Sequence, residues 1–154
     1  ELMGLVPGIK ELMQKYPENI KTPVDVAVEV DGKRKEVSVE EMPVDYPIFD
    51  IGAKTVEAYA KIIRNAKSIV VSGPMGVYEN SEFVHGTKGV FGEIANSKAF
   101  SLAGGGHTIA ALQELGLSSK ISYVSTAGGA LIEFLMGKKL PGVAALKKAA
   151  DRKA

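Results

Sequence analysis

The sequence has no cysteine, so it can hold neither a disulfide framework nor a thiolate metal site. That is compatible with a reducing compartment. It has no apolar run of membrane-spanning length and no basic segment leading into an apolar signal core, which leaves the cytoplasm as the expected location. Neither sign of charge dominates: nineteen basic residues against eighteen acidic ones leave a net charge of +1, and no basic run forms a stripe for a polyanion. Nucleic acid and membrane are therefore not expected partners. Two well-known glycine signatures are missing as well. No lysine and hydroxyl pair follows the glycines as in a Walker loop, and the glycine spacing and later acidic residue of the dinucleotide fingerprint are absent.

What is present suffices for a single domain. At 154 residues and 45% apolar, the chain can bury a substantial core, although a truncated domain fits equally well. A start at Glu1 rather than methionine suggests an internal piece of something longer. Ile9, Leu12 and Met13 share one helical face, with Pro7-Gly8 interrupting it upstream, and predict a packing helix. Val24 to Val30 alternates with period two and predicts a half-buried strand. Asp31-Gly32 is a hairpin signal before Lys35 to Val39, so residues 24–39 read as a small β-hairpin excursion. Ile48 to Ile51 predicts a short strand ending at Gly52.

From there strands and helices alternate. Val56, Tyr59, Ala60 and Ile63 fit one helix face, and Ser68 to Val71 a strand; Phe83, Thr87, Val90, Phe91 and Ile94 fit a second helix, and Ala99 to Ala103 a strand. Ile109, Leu112 and Leu115 mark a third helix closed by Gly116, Ile121 to Val124 a strand, and Leu131, Phe134 and Leu135 a helix stopped by Gly137. Val143 to Lys153 predicts a terminal helix with a solvated lysine face. The fold class expected is α/β, a three-layer Rossmann-like sandwich with a mostly parallel sheet.

Three glycine-bearing turns fall where a strand hands over to a helix: Ser72-Gly73-Pro74-Met75-Gly76-Val77-Tyr78-Glu79, Gly104-Gly105-Gly106-His107-Thr108, and Ser125-Thr126-Ala127-Gly128-Gly129. In a parallel sheet these share the ligand-facing edge. A helix starting just after glycine offers unpaired amides and a partial positive charge, so Gly105, Gly106 and Thr108, and likewise Ala127, Gly128 and Gly129, can hold a phosphate oxygen. Taken singly, each is more simply a tight turn; three at one sheet edge move the balance toward nucleotide or phosphate binding. Glu79 can bind ribose hydroxyls or simply favour a helix start. Asp50 is read as ending a strand at the same edge, where it binds a helix start such as Thr55 or acts on a ligand. His85 and His107 are the only histidines; no carboxylate cluster accompanies them, and no metal ligand is assigned. Ser125-Thr126 has no adjacent histidine base, which argues against a hydrolase nucleophile.

Together with Gly86-Thr87, Val124 to Ala130, Gly137 to Val143, Pro23-Val24-Asp25 and Asp50-Ile51-Gly52, these segments resemble the C-terminal half of the phosphoglycerate kinase family, in order and approximate spacing, over nearly the whole chain. The resemblance implies phosphoryl transfer between 1,3-bisphosphoglycerate and ADP, giving 3-phosphoglycerate and ATP in glycolysis and gluconeogenesis, with magnesium on the nucleotide. It implies that residues 1–154 form a single, incomplete C-terminal nucleotide-binding domain, the phosphoglycerate being held by an N-terminal domain across a hinge. By position, Glu79 matches the ribose-binding glutamate, Pro74 and Val77 apolar contacts beside the nucleotide, and Phe49 an adenine-wall residue. Gly105, Gly106, His107 and Thr108 match the phosphate-binding turn, and Gly128 and Gly129 the helix start facing the transferring phosphoryl group.

Departures from the family pattern fall inside this site. His107 stands where many members carry the aspartate that serves magnesium; Ser72 stands for a common asparagine, Ala127 for glycine, Ile48 for glycine and Val71 for a frequent tryptophan. Histidine at position 107 resembles archaeal-type members of the family in particular. Because the family's basic substrate-binding residues and a glycine-rich, lysine-bearing segment precede the part matched here, the chain alone is expected not to turn over. The alternatives are a non-catalytic nucleotide- or phosphate-binding module, and an interaction domain whose glycines serve turns only.

Overall fold

A computed structural model describes residues Leu2 to Arg152; Lys153, assigned above to the terminal helix, lies outside the described residues. The first helix, α1 (Val6–Lys15), has Pro7 within its first turn and not as an interruption, because a helix's first amides need no intrahelical partner. It buries none of its residues, and Ile9 and Leu12 are both 51% exposed. The packing expected from its stripe is not made.

Strands β1 (Asp25–Val30) and β2 (Lys33–Ser38) pair antiparallel from Asp25↔Ser38 to Val30↔Lys33. Asp31 and Gly32 close the turn at φ 51° and 74°, the two positive φ values that a two-residue hairpin of matching twist requires. Strand β3 (Ile48–Ile51) adds to the other side of β1, also antiparallel, giving the order β2-β1-β3. This corrects the expectation that the strand ending at Gly52 shares the edge of the parallel sheet, which the later strands do form. The connection into β3 is an irregular stretch containing Pro43 and Pro47 with only a short 3-10 turn, and without a crossover helix a neighbouring strand pairs antiparallel.

Helix α2 (Ala53–Asn65) buries Thr55, Ala60 and Ile63 and leads into the second sheet. Its N-terminus has only Gly52 at the cap position, and the cap is supplied instead from across the fold. The Asp25 carboxylate accepts hydrogen bonds from the Lys54 and Thr55 amides at 3.0 and 2.8 Å and from the Thr55 hydroxyl. Burial raises the pKa of Asp25, yet the hydrogen bonds from Thr55 and Lys54 outweigh it and leave the carboxyl below its ordinary value.

The second sheet is parallel. Strand β4 (Ser68–Val71), helix α3 (His85–Asn96), strand β5 (Phe100–Gly104), helix α4 (Gly106–Glu114) and strand β6 (Tyr123–Ser125) alternate, and the strands lie in the order β4-β5-β6. Short helices α5 (Gly129–Leu135) and α6 (Pro141–Asp151) follow, the latter opening on Pro141 as a first-turn proline. The row Val71, Ala103, Val124 lies on one face of the sheet. That face is covered: Val71 and Ala103 join Phe91, Val90, Ile94, Ala111 and Leu112 in the main core. Each of the valine, isoleucine, leucine and phenylalanine side chains among these stabilises the fold by about 1.5–3 kcal/mol when fully buried.

The opposite face differs. The register places Val70, Leu102 and Tyr123 in one row, with Phe100 two residues before Leu102 on the same side. Val70 is 50%, Phe100 57% and Tyr123 59% exposed. One sheet thus has one dressed face and one bare face.

Candidate functional site

The three glycine turns do meet. They follow the carboxyl ends of β4, β5 and β6, which parallel pairing aligns. A Cβ placed on Gly105 would stand 3.6 Å from the Ser72 hydroxyl and 3.5 Å from that of Thr108, and one placed on Gly128 would stand 3.7 Å from the Gly105 Cα. The Gly105 backbone has φ 99°, a conformation that glycine adopts without the penalty a side chain would bring. No side chain caps α4 or α5. Their first amides are therefore available to an acceptor outside the helix.

Gly106 and Gly129 add a second observation. A Cβ at either would meet nothing within 4 Å, so neither internal packing nor a positive φ accounts for the glycine. Gly106, His107 and Glu79 are exposed, whereas Thr108 is 1% exposed. The Thr108 hydroxyl accepts from the Gly73 amide at 2.6 Å, which commits its oxygen to joining two of the turns. The Tyr78 phenol has its pKa raised, first by burial and then by the carboxylates of Glu79 and Glu114.

Phe49 is positioned by a bulge. The β1–β3 register runs Ala27↔Asp50 and then Val28↔Ile48, so Phe49 has no ladder partner and its strand bends there. Its carbonyl accepts from the Val77 amide at 2.8 Å, and its ring meets Phe83 edge-on with centroids 5.2 Å apart. The bulge brings Phe49 to the loop that carries Pro74 and Val77. Pro74 is half-buried and Val77 is 41% exposed.

Asp50 does not bind Thr55, and it lies on the antiparallel sheet. That role belongs to Asp25. Asp50 instead accepts from the Gly86 amide at the start of α3 at 2.8 Å, from the Ile51 amide at 2.8 Å, and from Arg34 at 2.9 Å. Arg34 also reaches the Ile51 carbonyl and Glu36. Pattern reasoning could not find Arg34, because a basic residue on a hairpin strand carries no local sign of a buried partner sixteen residues away. Ser125 makes its own turn, accepting from the Ala127 amide at 3.2 Å, so its hydroxyl is a turn former.

His85 opens α3 and His107 lies in the first turn of α4. Among the described residues no group of three His, Cys, Asp or Glu is arranged to hold a metal ion. Position 107 does not fit magnesium, since that ion takes hard oxygen ligands and an imidazole offers none.

A parallel α/β domain with uncapped helix starts gathered at the carboxyl edge belongs to the doubly wound α/β class, in which ligands commonly bind at that edge. Comparison with known proteins gives the family. The model of the phosphoglycerate kinase family matches residues 3–138, and the chain belongs to that family. It is 47% identical over 145 residues to a phosphoglycerate kinase of Methanococcus maripaludis and 46% identical over 143 residues to one of Methanothermus fervidus. Each match covers 93% of this chain and 35% of the relative. Among solved structures, the phosphoglycerate kinase of Pyrococcus horikoshii superposes with a TM-score of 0.88 at 41% identity, over 97% of this chain and 38% of that one. That of Coxiella burnetii gives 0.84 at 38% identity, over 92% and 38%. The chain spans roughly a third of the length of these relatives, and the resemblance read from its motifs holds at the level of the family.

Proposed function

We propose that this chain is the nucleotide-binding part of a phosphoglycerate kinase, acting in reversible phosphoryl transfer between 1,3-bisphosphoglycerate and ADP. The observation that carries the reading is the convergence of Ser72, Gly105 and Gly128 at one edge, with two helix starts that no side chain caps. Phosphoryl transfer depends chiefly on positioning and on fixed donors facing the charge. In this reading the amides of Gly105, Gly106, His107 and Thr108 hold nucleotide phosphates, and those of Gly128 and Gly129 face the transferring group. Glu79 binds the ribose, Phe49, Pro74 and Val77 flank the base, and Ser72 borders the phosphate turn. Magnesium would be brought by the nucleotide, where it would offset phosphate charge, and His107 offers it no hard oxygen ligand.

The bare row of Val70, Leu102, Tyr123 and Phe100 supports a finer reading of the architecture. This is a three-layer Rossmann-like sandwich whose second helical layer belongs to sequence that the relatives have and this chain does not contain. Residues 1–154 are then part of one nucleotide-binding domain. The phosphoglycerate site lies in the remainder, and the setting is the cytoplasm, with no nucleic-acid or membrane partner. A steady-state assay of the chain alone should give no turnover, while magnesium-ADP should shift the amide resonances of the glycine edge. Ordinary kinase turnover by the chain alone would overturn the partial-domain reading.

His107 favours one second reading, a nucleotide- or phosphate-binding module without catalysis. Joining the chain to the rest of a relative's sequence separates the two. A kinase recovers phosphoryl transfer, and a binding module stays inactive.

A further inference from the structure

The loop that follows β4 is held by every second amide. The Gly73 amide donates to the Thr108 hydroxyl at 2.6 Å, the Met75 amide to the Thr87 hydroxyl at 3.1 Å, and the Val77 amide to the Phe49 carbonyl at 2.8 Å. The loop is bent and not extended, with Gly73 at φ 98°, and these three amides fasten it to three different elements: α4, α3 and the bulge in β3. Pro74 between the first two has no amide to offer, and Gly76 has no room for a side chain, since a Cβ there would stand 2.5 Å from the Phe49 carbonyl oxygen.

Thr108 and Phe49 already belong to the proposed nucleotide site. Thr87 does not. It is fully buried, at 0% exposed, in the first turn of α3, and the amide of its neighbour Gly86 is fixed by Asp50 at 2.8 Å. Its hydroxyl is thus a buried acceptor of fixed position beneath the middle of the loop. We infer that Thr87 is a positioning residue for nucleotide binding: through Met75 it sets the path of the backbone that presents Pro74 and Val77. The inference rests on the nucleotide reading above and deepens it, adding a residue that touches no ligand. The physical reason is the asymmetry of hydrogen bonding, in which a half-buried amide robbed of its acceptor moves to find water.

The test joins the chain to the rest of a relative's sequence and compares this wild type with Thr87→Val, which keeps the shape and loses the acceptor, and Thr87→Ser, which keeps the acceptor. Each is titrated with magnesium-ADP while amide shifts and amide exchange are followed by NMR. In Thr87→Val the Met75 amide should exchange faster while the Ala103 amide in β5 keeps its protection, and the Kd should rise about tenfold, the scale of one lost hydrogen bond. Thr87→Ser should bind within about twofold of wild type. Should Thr87→Val fail to fold, Thr87→Ala, which adds no bulk against the core, carries the same expectation. Faster Met75 exchange with an unchanged Kd overturns the positioning role and leaves the nucleotide reading standing. Equal weakening by valine and serine also overturns it. A wild-type chain that shows no shifts at saturating magnesium-ADP overturns the nucleotide reading, and the role of Thr87 falls with it.

Discussion

The two sheets meet their polar obligations in opposite ways. Around the antiparallel sheet, helix starts are capped by buried side chains: Asp25 caps α2, and Asp50, held by Arg34, caps α3. At the carboxyl edge of the parallel sheet, α4 and α5 begin on glycines with no side-chain cap at all. A satisfied helix start contributes stability, and an open one is available for binding. In the proposed reading the small sheet acts as the fastening and the parallel sheet as the binding face.

The contrast can be broken most severely at Asp50. Asp50→Ala leaves Arg34, 12% exposed in its side chain, and the Gly86 amide without their partner, and should lower unfolding stability by about 3–5 kcal/mol, measured by urea denaturation. Glu79→Ala tests the other side. On an exposed carboxylate it should leave stability within about 0.5 kcal/mol, yet weaken magnesium-ADP binding by about 1.5–3 kcal/mol. An unchanged dissociation constant removes Glu79 from the site. Asp25→Asn comes next, with an expected loss of about 1–2 kcal/mol from a weakened cap on α2. Because the Asp25 carboxyl is held below its ordinary value, its contribution is present above the unfolded pKa of about 4 and is lost as pH falls further. A wild-type stability profile should therefore decline in that acid window more than the Asp25→Asn profile does. The smallest effect belongs to the surface. Arg64 makes a paired contact with Glu93 at 2.6 and 2.9 Å between α2 and α3, but it is largely exposed, and Arg64→Ala should leave the urea midpoint nearly unchanged.

Periodicity was enough to read the helices and strands of the alternating half, because Val90, Phe91, Ile94 and Leu112 face one continuous core and must recur at helical spacing. It misled at β3. Four residues ending in glycine say nothing about which neighbour they pair with, and only the irregular connection before them decides it. The glycine edge was legible for a different reason: parallel strands bring equivalent turns together, so Gly105 and Gly128 had to be neighbours if their strands were. The bulge at Phe49, the cap from Asp25 and the anchor at Thr87 were not, since each depends on a partner more than ten residues distant. Thr55 was expected to answer to Asp50 and answers to Asp25, an exchange between two aspartates that no local pattern distinguishes. The stripe of α1 was read correctly as helical and wrongly as packed, because amphipathicity records that a face can be buried and not where its partner lies.

The central claim is that the open helix starts bind nucleotide, and amide-shift mapping of a magnesium-ADP titration tests it most directly. The account predicts the largest shifts at Gly105, Gly106, Gly128 and Gly129, with the β1–β2 hairpin unmoved. No shifts at saturating magnesium-ADP, or shifts confined to the hairpin, would contradict it.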